Sequence, residues 1–261
     1  MRLGDLATAQ GFRALRFDAL GSTNDEAMSR ARAGDSGALW IMADVQTAGR
    51  GRQGRLWVSP HGNLHASLLL IDVCKPQVAA QLGFVAGVAL VDALRIAAPA
   101  APVALKWPND VLCSGAKLAG VLVEGGVVAG GAFACVIGFG VDCAASPSDL
   151  PYPAVDLLSV GAVCAPCDLL LALADSVCRV LDVWRGGVGF PAVREAWLSR
   201  AAGLGQTLEA RTHKEVMRGV FETIDEDGRL VLVTTQGRVK VEAADVFPAL
   251  TGESSPRQDD A

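Results

Sequence analysis

Val45-Gln46-Thr47-Ala48-Gly49-Arg50-Gly51-Arg52-Gln53-Gly54-Arg55-Leu56-Trp57 carries three arginines, three glycines and no acid, in a chain whose formal net charge is −5. Within it, Gly49 to Gly54 satisfies G-x-G-x-x-G, the spacing of a dinucleotide-binding turn. That motif works only where a helix opens directly after the glycines and turns its N-terminus to a pyrophosphate. Here Leu56-Trp57-Val58-Ser59-Pro60 follows, an extended piece closed by proline and a turn at Gly62-Asn63. A dinucleotide-binding fold is therefore not expected at this position. Glycine lets backbone run close to a ligand. Arginine offers a planar fork for phosphate or carboxylate oxygens. The stretch reads either as a clamp for an anionic ligand or as a solvated basic loop.

At 261 residues, 51% hydrophobic and 20% charged, the chain can bury a substantial core in one or two domains. The acidic balance argues against bulk nucleic-acid binding. Met1-Arg2-Leu3-Gly4-Asp5 lacks the charged-then-apolar pattern of a signal peptide. Seven cysteines at irregular spacings suggest reduced thiols and a cytoplasmic protein. Cys164-Ala165-Pro166-Cys167 reads C-x-x-C, but without a second pair at zinc-site spacing it is taken as small apolar residues beside a turn. Val78 to Ala97 is apolar over nearly a membrane's width, yet Gln81, Asp92 and Arg95 interrupt it between strand signals. A buried helix lying across a sheet fits better, and no membrane partner is expected.

Along the chain, Asp5 to Phe17 is short and mixed. Ser22 or Thr23 can cap a helix whose first turn holds Asp25 and Glu26. Leu39 to Ala43 is a strand leading into the basic loop, and Leu64 to Ile71 is another, with His65 and Ser67 alternating against apolar neighbours. His61 and His65 stand four apart, but Gly62-Asn63 between them opposes a helix, so both are read as incidental. Val103 to Asp110, Lys117 to Glu124 and Gly131 to Val141 are β-rich. Lys106, Asn109, Asp110 and Lys117 admit two readings. They place two ammonium groups and one metal-binding carboxylate around a triphosphate, or they form a surface hairpin with an Asx turn. Asp168 to Trp184 and Pro191 to Ala202 read as helices. Beyond Gly203-Leu204-Gly205, short strands at Thr207–Ala210, Met217–Ile224, Arg229–Thr234 and Arg238–Glu242 suggest a small β-barrel-like domain of roughly fifty residues. Turn signals at Asp227-Gly228 and Gln236-Gly237 join the last three.

Taken together, these segments resemble the biotin protein ligase family. The carrying residues are Ser22-Thr23-Asn24, Gln46 to Arg55, Lys106-Trp107-Pro108-Asn109-Asp110 and Lys117-Leu118-Ala119-Gly120-Val121-Leu122-Val123-Glu124. The resemblance implies an α/β (α+β) fold: a mixed-sheet catalytic domain of the biotin/lipoate ligase type over residues 1–203, then an SH3-like barrel over 204–250 and a flexible tail over 251–261. It implies that biotin and ATP, with Mg2+, give biotinyl-5′-AMP and pyrophosphate, and that a lysine of a biotin carboxyl carrier protein then takes the biotinyl group. By the same match Ser22, Thr23, Asn24, Gln46, Gly49, Arg50, Gly51, Arg52, Trp57 and Lys117 would bind biotin. Arg52, Lys106, Asn109, Asp110 and Lys117 would face ATP, with Asp110 as the magnesium ligand. Lys117 and Arg52 are the expected catalytic residues, and Gly49 and Gly51 would give the loop its mobility.

In Gly138-Phe139-Gly140-Val141-Asp142 the family usually ends on asparagine. An added carboxylate there is expected to weaken ATP binding or recruit metal, and Asp142 is given no role. Twenty-one residues precede Ser22, too few for the winged helix-turn-helix of bifunctional family members, so DNA binding is not expected. The oligomeric state, a homodimer among the options, stays open. Lipoate–protein ligase is a close alternative sharing the fold and the adenylate chemistry, but the arginine–glycine loop and Lys-Trp-Pro-Asn-Asp favour biotin. A non-catalytic binding protein would not require the lysine pair.

Overall fold

The structure, a computed structural model, describes residues 1–212, 215–242 and 244–249. In chain order the elements are α1 (Asp5–Ala9), β1 (Arg13–Leu20), α2 (Thr23–Arg32), β2 (Leu39–Gln46), β3 (Leu64–Ile71), α3 (Leu82–Ala97), β4 (Val103–Lys106), β5 (Asp110–Cys113), β6 (Ala116–Val127), β7 (Phe133–Val141), α4 (Pro166–Trp184) and α5 (Phe190–Leu198). A second group follows: β8 (Thr207–Arg211), β9 (Val216–Ile224), β10 (Leu230–Thr234), β11 (Gly237–Val241) and β12 (Asp245–Pro248).

The first sheet runs β1-β2-β3-β7-β6-β5-β4. Only β1 and β2 are parallel, linked through α2, and every other pair is antiparallel, which makes the sheet mixed. The period of two along each strand gives its faces different work. Trp40 and Met42, Leu64 to Leu70 at even positions, and Cys135, Ile137, Phe139 and Val141 join one core with α3, α4 and α5. Leu39, Ile41, Leu69, Ala134 and Val136 face the other way, under Ala27 and Ala31 of α2. The remaining positions of that second face, His65 and Ser67 on β3 and Gly138 and Gly140 on β7, are left for a site. The register pairs His65 with Gly140 and Ser67 with Gly138.

The apolar run before Ala97 is the buried α3, not a lipid-facing span. Eleven of its sixteen residues are buried, and Phe84 meets Phe190 and Trp197 edge-on with ring centroids 5.4 and 5.5 Å apart.

The second sheet, β11-β10-β9-β8-β12, is wholly antiparallel. It docks through the Asp227-Gly228 turn: Trp107 Nε1 donates to the Gly228 carbonyl at 3.0 Å. Gly228 has φ +87°, and a Cβ there would stand 2.7 Å from the Phe84 ring, so the turn and the contact both require glycine.

Three sequence expectations change. The mixed N-terminal segment contains α1 and the edge strand β1, whose half-exposed positions hide the alternation. The hairpin that the sequence offered as one reading forms, β4 with β5, and in it Lys106 pairs with Asp110. The second C-terminal helix ends at Leu198 rather than Ala202. A fifth strand, β12, completes the second sheet. The tail expected over 251–261 lies outside the described residues.

Ile137, fully buried at the centre of β7, tests the shared core. Ile137→Ala is expected to cost about 2–5 kcal/mol in urea unfolding, by lost transfer energy plus the cavity left behind.

Candidate active site

A solvent-open cleft lies on the second face of the first sheet. Its floor is glycine. Gly120 on β6 and Gly140 on β7 are register partners, and the Trp57 indole lies across both. A Cβ on Gly140 would stand 2.5 Å from that ring, and one on Gly138 would run into the Asn24 amide. Glycine inside a strand commonly marks such a close approach.

One end of the cleft is a chain of neutral hydrogen-bonding groups. Ser22 caps α2, its Oγ accepting from the Asp25 N–H at 3.4 Å. The Thr23 N–H and hydroxyl reach Gln46 Oε1 at 2.8 and 3.1 Å, and Gln46 Nε2 donates to Ser59 Oγ at 2.9 Å. Below them, Ser67 Oγ lies 2.7 Å from Thr23 Oγ1 and 2.6 Å from Asn24 Oδ1. Asn24 Nδ2 then donates to Glu124 at 2.7 Å. Ser22, Thr23, Asn24 and Ser67 are all buried, so this end holds preorganised donors and acceptors out of bulk water.

The basic stretch folds as a tight hairpin over the cleft. Arg50 bridges Leu56, and the Gly51 N–H donates to the Arg55 carbonyl at 2.8 Å. The turn between them places Gln53 at φ 57° and Gly54 at φ 71°. Mobility is the use expected of Gly49, and its surroundings show another. A Cβ there would lie 2.6 Å from both Ser59 Oγ and the Trp57 carbonyl, so close packing is what requires glycine. Arg50 donates to Asp25 at 2.7 Å and to both oxygens of Glu124 at 3.1 and 2.9 Å. Arg52 reaches Asn109 Oδ1 at 3.2 Å. Burial, the main influence, pulls the Arg52 guanidinium below its ordinary value, against the pull of Asp245 and Asp110.

At the other end stand the two lysines. Lys117 Nζ lies 2.7 Å from Asp110 Oδ1, and Lys106 Nζ is 3.9 Å from Asp110 Oδ2. Lys117 also sits 5.5 Å from the ring centroids of Trp57 and Tyr152, a distance at which each ring face attracts the ammonium. Burial lowers the Lys106 ammonium, with Lys117 adding to the effect and Asp110 opposing it. Asn109 is fixed by its Nδ2 donating to the Val121 carbonyl at 2.8 Å. The hairpin reading of this stretch holds, and the hairpin is what sets Lys106 opposite Asp110.

Ser22, Thr23, Asn24, Gln46, Arg50, Gly51, Arg52, Trp57, Asn109, Asp110 and Lys117 all line the one cleft. Gly49 and Lys106 do not. Gly49 lies behind the hairpin, while Lys106 packs 5.1 Å from the Phe247 ring. The cleft wall also includes charged and aromatic residues outside the expected set, among them Tyr152, Arg55 and Asp245. Tyr152 arrives on a connector that pairs with β6 through the Lys117 N–H and the Pro153 carbonyl, at 2.9 Å. Arg55 and Asp245 form a two-point pair at 3.0 and 2.5 Å. Gly138 and Gly140, two apart in a strand, were the available sequence signal for the floor.

His65 is fully buried on the site's face of β3. Its Nε2 meets the Pro60 carbonyl at 3.1 Å, and desolvation lowers the imidazole below its ordinary value. Cys164 and Cys167 are free thiols, and the described residues contain no cluster of three or more metal-ligating side chains.

Two family models match the chain: the biotin/lipoate A/B protein ligase family over residues 22–142, and the biotin protein ligase C-terminal domain over 203–247. A biotin–[acetyl-CoA-carboxylase] ligase of Paracoccus denitrificans is 43% identical over 236 residues, 87% of this chain and 96% of the relative. The chain belongs to the biotin protein ligase family. A bifunctional ligase/repressor BirA of Bacillus subtilis is 31% identical, with 94% of this chain and 77% of that protein covered. Among solved structures, a biotin protein ligase from Aquifex aeolicus in complex with biotin and ATP shares the fold, with a TM-score of 0.76. The match has 24% identity and spans 91% of this chain and 99% of that one. The two-sheet architecture expected of a biotin protein ligase is the one observed. Tyr152 falls between the two family-matched spans, and Asp245 within the second.

Asp142, the departure from the family's asparagine, is buried and does not line the cleft. Asn63 Nδ2 donates to it at 3.0 Å. Burial pushes its carboxyl up to about 8, with Lys117 opposing and Asp156 adding to the rise. Unfolded, the group ionises near its ordinary 3.8; folded, it keeps its proton until about 8. The native state therefore binds more proton between those values, and stability falls as pH rises through them. Asp142→Asn is expected to be the more stable protein, with an advantage that grows across that window and levels off above it. Urea unfolding of both proteins at a series of pH values reads this directly, and parallel curves would contradict a neutral Asp142.

Proposed function

We propose that the cleft binds biotin at the Ser22–Gln46 end and ATP at the Lys106–Lys117 end, and that this is where the chain acts as an ATP-dependent biotin protein ligase. The carrying observation is the convergence of Arg50, Arg52 and Lys117 on one cavity whose far wall is neutral and hydrogen-bonding. A carboxylate oxygen of biotin attacks the α-phosphorus of ATP, the bond to pyrophosphate breaks, and biotinyl-5′-AMP results. A neutral lysine amine of a biotin carboxyl carrier protein then attacks the carbonyl carbon. AMP leaves with the bonding pair, and the amine gives up its proton.

Both reactants of the first step are anions, so bringing them together costs more than the chemistry requires of any acid or base. Fixed cations in a partly dry site lower that cost and need no reorganisation when charge moves. Lys117 stands where the biotin carboxylate and α-phosphate would meet, and Arg52 covers them from the hairpin. Thr23, Asn24 and Gln46 offer donors and acceptors to biotin's neutral head, as does Ser22. Asn109 faces the polyphosphate, and Lys106, which does not line the cleft, adds its charge from beside Asp110.

Magnesium accompanies the nucleotide in this reading. Asp110 is the one carboxylate between the lysines, and a single carboxylate plus phosphate oxygens is how Mg2+ is commonly held, keeping its other waters. Bound there, it would supply charge neutralisation to the phosphates. Free thiols at all seven cysteines support a reducing, cytoplasmic setting.

Pyrophosphate release with biotin, ATP and magnesium is expected to depend on biotin; release without it, or none at all, overturns the ligase reading. Lys117→Ala is expected to lose about 100-fold or more of adenylate formation while its circular dichroism stays unchanged. Near-parental rates in that variant would remove Lys117 from the role given it.

A further inference from the structure

The hairpin's three arginines are held in three different ways. Arg50 is pinned within its own domain by Asp25 and Glu124. Arg52 makes no ion pair among the described residues, and its side-chain partner is the neutral Asn109. Arg55 is gripped by both oxygens of Asp245, which opens β12 of the second sheet. This clasp therefore joins the two domains. The Arg55 N–H donates to the Arg52 carbonyl at 3.2 Å, and its carbonyl accepts from Gly51, so fixing Arg55 fixes the turn that carries Arg52.

We propose that Asp245 is a positioning residue: its carboxylate holds Arg55 so that the hairpin presents Arg52 as the unpaired cation for phosphoryl charge. The proposal rests on the ligase reading for the identity of that anion. Asp245 is an odd group to find on the wall of an anion site, since a bare carboxylate there repels a nucleotide. Two-point pairing with Arg55 removes that objection, because it cancels the charge and keeps the geometry. The strand that presents it is held by the packing of Lys106 on Phe247, and its sheet by the Trp107 bond to Gly228. In this arrangement the second domain contributes to the first domain's site without touching substrate.

The pair is partly exposed, with side chains 52% and 39% accessible, so its effect is modest, about three- to fivefold. Trypsin reads the hairpin directly at Arg50 and Arg52, with no substrate present. Asp245→Asn in the full chain is expected to be nicked there about three- to fivefold faster than the parent. The exchanged pair, Arg55→Asp with Asp245→Arg, is expected to regain protection. In steady-state assays Asp245→Asn is expected to raise the KM for ATP by a similar factor, with the larger share of the change in KM rather than kcat. Arg55→Ala, which bares the carboxylate, is expected to raise it further, and adding Asp245→Ala to that variant to recover part of the loss. Unchanged nicking in Asp245→Asn, or strictly additive losses in the two double variants, overturns the clasp. If the parent shows no biotin-dependent pyrophosphate release but nicking follows the pattern, the ligase reading fails and the clasp stands. If the parent turns over and nicking is unmoved, the clasp fails alone.

Discussion

Positive charge has to be kept in a partly dry pocket without being quenched by the protein's own acids. Everything else about the site follows from how this chain meets that constraint. Asp110 is shared: it lies 2.7 Å from Lys117 and 3.9 Å from Lys106, so one carboxylate faces two ammonium groups and a net positive charge survives. The ring faces of Trp57 and Tyr152 attract Lys117 without carrying charge of their own. Arg52 goes further and keeps only a neutral amide as partner, at the cost of desolvation that pulls its guanidinium below the ordinary value. A cation left in that state gains most when an anion arrives, which is the property a transition state with gathering negative charge requires.

The sheet makes this possible by giving its two faces unequal chemistry. Even-numbered residues of β3 build the main core, while His65 and Ser67 point to the opposite side with Gly138 and Gly140 beside them. Helix α2 covers part of that side with Ala27 and Ala31 and, at its first turn, supplies Ser22, Thr23 and Asn24 to the cleft. One helix thus closes the apolar half of the face and opens the polar half. Any side chain at Gly140 would lift the Trp57 ring, and with it the hairpin that follows Gly49.

Much of this was legible in the sequence, and what was not has identifiable physical causes. The ordered motifs gave the family and half of the lining residues, including every cation of the cleft except Arg55. The Leu64–Ile71 alternation gave a strand with a polar face, on which His65, expected to be incidental, is buried and does not line the cleft. β1 and β12 were missed because both lie at sheet edges, where exposed positions blur the period of two. Glycine permits both mobility, the use expected of Gly49, and close approach, which its surroundings require, and sequence alone does not separate the two. Tyr152 and Asp245 were beyond reach for a different reason. Each is brought in by a long-range pairing, through Pro153 to Lys117 and through Asp245 to Arg55, that no local pattern announces.

Asp142 shows how a departure from a family pattern can leave the chemistry in place. Asparagine and a protonated aspartic acid have nearly the same shape, and each pairs one carbonyl acceptor with a donor on the other branch. They differ sharply only if the acid ionises. Here the surroundings oppose ionisation: the carboxyl is buried, its side-chain hydrogen bond comes from the neutral Asn63 amide, and Asp156 stands close enough to repel a second negative charge. Lys117 is the opposing influence, and it is already committed to Asp110 at 2.7 Å. An ionised Asp142 would compete for that ammonium and draw it from the cleft that it lines. Keeping the acid neutral is therefore the condition on which this chain uses aspartate there and still leaves the Lys117 ammonium to the cleft.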